Sequence, residues 1–168
     1  AAASQLGGRV SRFGLRQVGQ SIADLGQVAR SVESLRSPEA QRELLADRVQ
    51  TMISEIALAL REATKDVPKG DTRARAIAAE DAFNAQQHKL ISAARAHAEL
   101  LQWEAFTEAI TQIDDEGSRQ VLTWLRDLFG FGLIESNAAW YLVNGRISGQ
   151  RAEAVTAALD RRIGRLRP

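Results

Sequence analysis

The chain has 168 residues, which is enough for one domain with a sizeable core, and two domains are not expected. Hydrophobic residues make up 45% and aromatic residues only 5%, with three prolines, the composition of a helical protein rather than a sandwich or barrel. A formal net charge of +1 gives nucleic-acid binding no compositional support, and the lack of cysteine excludes disulfides, thiolate nucleophiles and zinc–thiolate sites.

Residues 1–36 are expected to form a loosely ordered or short-helical lead-in. Gly7, Gly8, Gly14 and Gly19 interrupt it, Arg9, Arg12 and Arg16 charge it, and a short helix fits only over Ile22 to Leu35. The opening Ala1-Ala2-Ala3-Ser4-Gln5-Leu6-Gly7-Gly8 has neither the charged nor the apolar region of a secretory signal. Leu6-Gly7-Gly8-Arg9 is neither a Walker loop nor a dinucleotide fingerprint, because no strand precedes it. The single methionine, Met52, is internal, so a processed or excised piece of a longer polypeptide is expected.

Ser37-Pro38-Glu39 reads as a helix start, with a serine cap, proline at the first helical position and an acid in the first turn. Leu45, Val49, Met52, Ile56, Ala59 and Ala63 then form a helical stripe ending near Lys65. Val67-Pro68-Lys69-Gly70-Asp71 breaks the chain, and Asp71 can cap the next helix. From Asp71 to about Ile113 nothing stops a helix, which predicts one element of about forty residues and roughly 60 Å. Phe83, Leu90, Ala94, His97 and Leu101 share one face of it, while Trp103, Phe106, Ile110 and Ile113 continue on a neighbouring face. Asp114-Asp115-Glu116-Gly117 turns the chain into a helix from Val121 to Val143 that is apolar round most of its circumference. Such a helix is wrapped by protein or docks on a partner. Arg126, Asp127, Glu135, Ser136 and Asn137 interrupt it too often for a membrane span. Asn144-Gly145 supplies a left-handed stop, and Ser148 caps a last helix with Ala152, Val155, Leu159, Ile163 and Leu166 in register. The expected fold is all-α, an antiparallel bundle of about four long helices over residues 37–168.

Six acids and no lysine or arginine lie between Ala96 and Ser118, whereas the tail carries Arg146, Arg151, Arg161, Arg162, Arg165 and Arg167. These read either as solvated faces that partly pair or as arginines that contact an anionic ligand. His88 and His97 are nine residues apart on one predicted helix, about 180° round its axis, so they cannot share a metal. His97 is either a packed histidine or a pocket-lining one at a domain junction, and His88 is expected to be exposed. Asp114-Asp115-Glu116 lacks the alternating ligands of an EF-hand, and Glu55, Glu80 and Asp81 lack partners that would tune them. No catalytic residue and no metal site is expected. The aromatic group Trp124, Phe129, Phe131, Trp140 and Tyr141 is either core or a subunit or domain interface.

Two blocks carry a family resemblance. Ile134-Glu135-Ser136-Asn137-Ala138-Ala139-Trp140-Tyr141-Leu142-Val143-Asn144-Gly145-Arg146-Ile147-Ser148, with the final amphipathic helix, resembles the C-terminal signature of acyl-CoA oxidases. Ala82-Phe83-Asn84-Ala85-Gln86-Gln87-His88-Lys89-Leu90-Ile91, then Ala94-Arg95-Ala96-His97-Ala98-Glu99 and Glu104-Ala105-Phe106, is similar to an upstream helix of the same family. The likeness extends from about Pro38 to Pro168. It implies an FAD-dependent flavoenzyme, related to acyl-CoA dehydrogenases, that oxidises an acyl-CoA to a trans-2-enoyl-CoA and passes the electrons to oxygen. The family's catalytic glutamate sits in a Glu-Gly-Asp-Asn-like motif that does not occur here, and its flavin and thioester contacts lie mainly upstream. The resemblance therefore implies an inactive helical cap that packs on upstream catalytic domains of the same enzyme, buries surface in a homodimer and closes the acyl or flavin region. Because Leu166-Arg167-Pro168 is not a peroxisomal signal, a bacterial cytoplasm is expected. The same domain in an acyl-CoA dehydrogenase, or a free-standing helical interaction module, are the alternative readings.

Overall fold

The structure, a computed structural model, describes residues 35, 37–68 and 70–166. The expected lead-in and the short helix expected within it, apart from Leu35, lie outside the described residues. All regular structure among the described residues is helical. In chain order the helices are α1 (Pro38–Ala63), α2 (Thr72–Ala85), α3 (Gln87–Thr111), α4 (Glu116–Ser136), α5 (Ala138–Val143) and α6 (Gly149–Leu166). The long elements pack in sequence, α1 on α3, α3 on α4 and α4 on α6, which makes the expected bundle. No helix among the described residues is long and apolar enough to cross a membrane.

Local chemistry sets most boundaries. Ser37 Oγ accepts the Ala40 N–H at 3.1 Å with Pro38 at the first position, and Asp71 accepts the Ala74 N–H at 2.9 Å. Asp115 takes the Ser118 N–H at 2.7 Å, and that backbone bond holds its carboxyl below the usual range. Ser148 caps α6 by accepting from Arg151 N at 3.2 Å. Gly145, at φ 64°, ends α5. The Arg146 N–H reaches Tyr141 O at 2.8 Å and the Gly145 N–H reaches Leu142 O at 3.1 Å, the paired bonds of a Schellman stop.

Two expected helices are each divided. The predicted run from Asp71 to Ile113 breaks at Gln86, whose backbone (φ −96°, ψ 2°) leaves the helical region while its N–H bonds both Ala82 O and Phe83 O. The side chains of Asn84 and Gln87 bond each other across this break at 3.1 Å, and no glycine or proline marks it. The predicted Val121–Val143 helix begins five residues earlier, at Glu116, and breaks at Asn137. There the Asn137 N–H turns to Ile134 O, and the Asn137 side-chain amide donates instead to Leu133 O at 2.7 Å, satisfying a carbonyl that the break in the helix would otherwise leave without a partner. α4 is also less enclosed than its composition suggests: Phe131 and Ile134 are fully buried, whereas Val121 and Leu125 are exposed.

Two apolar clusters form the core. One joins Leu35, Phe131, Ile134, Tyr141, Ile147 and Val155, and the other joins Leu45, Val49, Ala96, Leu100 and Trp103. Each large side chain buried there contributes about 1.5–3 kcal/mol. The second cluster corrects the expected face of α3. Ala93, Ala96, Leu100, Trp103 and Ile110 are buried, while Ala94 and His97 are exposed and Leu101 is 50% exposed. The helix carries two apolar stripes, and the bundle takes the one that includes Trp103.

Candidate functional site

The unused stripe lies beside α1. Ile53 and Ile56 of α1 and Leu90, Ala93, Ala94 and His97 of α3 line an apolar groove of about 300 Å³. Ile56 and Ala93 form its floor and are buried; Ile53, 54% exposed, stands at its edge. His97 lines this groove as an exposed side chain and makes no hydrogen bond among the described residues. His88 is exposed. Around the same end of the bundle, Leu58, Ile77, Phe83 and Ile91 are between 49% and 67% exposed, and α2 buries no residue.

The five aromatic residues picked out in the sequence go to three places. Phe131 and Tyr141 are fully buried in the first cluster, with Trp140 meeting Tyr141 edge-on at 5.2 Å between ring centres. The Tyr141 hydroxyl donates to Leu44 O at 3.2 Å, and burial pushes its pKa well above the ordinary phenol value. Phe129 packs half-buried on the second cluster. Trp124 lines a hollow of about 270 Å³ with Gln120, Thr123, Asp127, Ala158, Arg161 and Arg162.

Beneath that hollow lies a charged network that reading the sequence missed. Asp127 accepts from Arg126 at 2.6 Å through one oxygen and from Arg162 at 2.8 Å through the other. Asp127 and Arg126 are both buried. The Arg126 guanidinium sits 5.7 Å from the Trp103 ring centre and that of Arg162 sits 5.4 Å from Phe131, so each cation also lies against an aromatic face. An adjacent Arg-Asp pair inside an apolar run was the available signal, since two such charges enter a core only when paired.

The acidic stretch pairs in part, with α1 instead of the arginine-rich tail. Glu99 meets Arg48 at 2.8 Å, Glu104 meets Arg42 at 2.7 Å, and Arg146 of the tail meets Asp47 at 3.0 Å. Between α1 and the start of α6, a groove of about 720 Å³ is lined by Glu39, Glu43 and Asp47 with Arg42, Arg146 and Arg151. Burial lowers the Arg151 guanidinium from its ordinary value, and Glu43 opposes that shift. Among the described residues no group of three His, Asp or Glu side chains could hold a metal ion.

The two blocks of resemblance fall on different surfaces. Ile134, Tyr141 and Ile147 converge in the first cluster, and Gly145 makes the turn that brings Ile147 back to it. The upstream block spans the α2–α3 junction and one wall of the apolar groove. No curated protein and no solved structure matches the chain. The family model for acyl-CoA oxidase matches residues 42–168, which takes in five helices whole and nearly all of α1, and the chain belongs to that family.

Proposed function

We propose that this chain is the C-terminal helical domain of an FAD-dependent acyl-CoA oxidase that converts an acyl-CoA to a trans-2-enoyl-CoA and delivers the electrons to oxygen. Its role is packing on the upstream catalytic domains, dimerisation and closure of the acyl and flavin region; the chemistry belongs to the upstream part. The observation that carries this reading is the apolar surface left at one end of the bundle. Ile53, Leu58, Ile77, Phe83 and Ile91 are each about half exposed or more. A surface of this kind marks contact with another protein surface.

The described residues do not fit a flavin by themselves. The groove between α1 and α6 sets the carboxylates of Glu39, Glu43 and Asp47 beside its three arginines, where they would repel a pyrophosphate, and the Trp124 hollow is below the size of most ligand pockets. Flavin contacts are therefore assigned to upstream domains. Trp124, Trp140 and Phe129, each half-buried, are assigned to the margin of the domain contact, and His97 to its apolar groove.

The test is oxygen uptake by the full-length enzyme with an acyl-CoA, carried out for wild type and for the Ile53→Glu/Ile91→Glu variant. The reading predicts a yellow, oxygen-consuming wild type and a variant that loses flavin or activity while this domain stays helical. Acyl-CoA-dependent dye reduction without oxygen uptake would replace the oxidase with a dehydrogenase. An unchanged variant would remove the docking role.

A further inference from the structure

Among the described residues, α2 is the helix that buries no side chain, although it packs on α1. Its partly buried alanines, Ala74, Ala78 and Ala82, recur at every fourth position, so the face it lays on the bundle carries little more than methyl groups. Its larger apolar side chains, Ile77 and Phe83, are 52% and 49% exposed. No ion pair engages Arg73, Arg75, Glu80 or Asp81 among the described residues. The side-chain hydrogen bonds of α2 stay local: the Ala74 N–H donates to Asp71, Arg75 to Val67 O at 3.4 Å, and Gln87 to Asn84.

Both ends of α2 are set off from their neighbours. Before it the chain turns, with the Asp71 N–H on Pro68 O at 3.0 Å, and after it Gln86 leaves the helical region. Gln86 Oε1 is buried and accepts no hydrogen bond among the described residues. A buried acceptor without a donor costs free energy that contact with water would return. A helix of 14 residues without tertiary packing is marginal in water, so α2 should melt on leaving α1. The opened state hydrates Gln86 and gives up few apolar contacts.

We infer that α2 is a flap, opening by local unfolding between Asp71 and Gln86 while the rest of the bundle stays folded, and that it controls whether the apolar contact surface is complete. Ile77 and Phe83 ride on the flap, whereas Ile53, Leu58 and Ile91 belong to α1 and α3. That control rests on the domain contact proposed above, whose formation closes the flap. The opening itself is a property of this chain alone.

Native-state amide hydrogen exchange tests it residue by residue. In this chain the amides of Ile77 to Ala85 should exchange at least about a hundredfold faster than those of Ala96, Leu100 and Trp103, with little dependence on denaturant. Ala79→Gly, at an exposed position in the middle of α2, should speed exchange throughout α2 about fivefold and leave α3 exchange and global unfolding unchanged. In the full-length enzyme the α2 amides should be slowed at least about tenfold. Amides of α2 as slow as those around Trp103, or an Ala79→Gly variant that lowers global stability, would overturn the flap. Equal α2 exchange in the chain and in a flavin-bearing full-length enzyme would overturn its control of the contact. Flavin content is read separately: a full-length protein without flavin contradicts the oxidase reading, and fast α2 exchange in the chain still supports the opening.

Discussion

The indole N–H of Trp103 donates to the side-chain oxygen of Gln41 at 3.1 Å, inside the junction of α1, α3 and α4. Gln41 is completely buried, and its amide nitrogen donates in turn to Leu35 O at 3.0 Å. One side chain thus ties Leu35, three residues ahead of α1, to Trp103 of α3. Gly130 of α4 closes this junction: a Cβ there would collide with the Gln41 oxygen and lie 2.8 Å from the Trp103 nitrogen.

Gln41→Leu therefore strands a buried indole N–H and a buried carbonyl and should cost about 2–4 kcal/mol in denaturant unfolding. Gly130→Ala should cost about 1–3 kcal/mol by overpacking the same point. The two sites touch, so the double variant should cost less than the sum. Additive losses would show that the junction is not one unit.

Asp127→Asn keeps the shape of the side chain and removes the charge that Arg126 and Arg162 share. With both cations left in the protein interior, the loss should be about 3–5 kcal/mol. Equilibrium urea unfolding reads it, and a loss below about 1 kcal/mol would mean that water reaches the network.

Much of the backbone was legible in short stretches because its cause is local. Ser37-Pro38, Asp71, Ser148 and Gly145 each satisfy orphan helix-end groups or adopt the left-handed turn through their own chemistry. The breaks at Gln86 and Asn137 were not legible, because neither residue forbids a helix and packing decides where the axis turns. The face of α3 was read wrongly for a related reason. It has two apolar stripes, and only the position of Trp103 against Gln41 and Gly130 selects one. The candidate surface is what that choice leaves over, so His97 could be placed on an apolar stripe from sequence while its exposure could not. The family was legible because the Ile134–Ser148 block builds its own cluster and turn.

Tyr141 gives the chain an alkaline limit. Its phenol is neutral in the fold and burial raises its pKa above the ordinary 10.0, so its contribution to stability is fully present below that value. The contribution is lost as pH rises from there toward the raised folded value. Tyr141→Phe should cost about 1 kcal/mol at neutral pH by removing the bond to Leu44 O. It should also make the decline above pH 10.0 shallower than in wild type. Parallel declines in the two proteins would assign the alkaline loss elsewhere.

Gly145 is the single described residue with positive φ, and its substitution by alanine should cost about 1–2 kcal/mol. No atom lies within 4 Å of the added Cβ, so the loss is conformational strain and not a clash. Gly145→Asn should recover part of it. An alanine variant as stable as wild type would show that the turn relaxes.

The central claim is that this domain works as part of an acyl-CoA-oxidising flavoprotein. Its most direct test is the intact mass and visible absorbance of the native protein purified from its source without dissociation. The account predicts this chain within, or bound to, a larger yellow polypeptide. A colourless 18.4 kDa species that carries no partner would contradict it and leave a free-standing interaction module in its place.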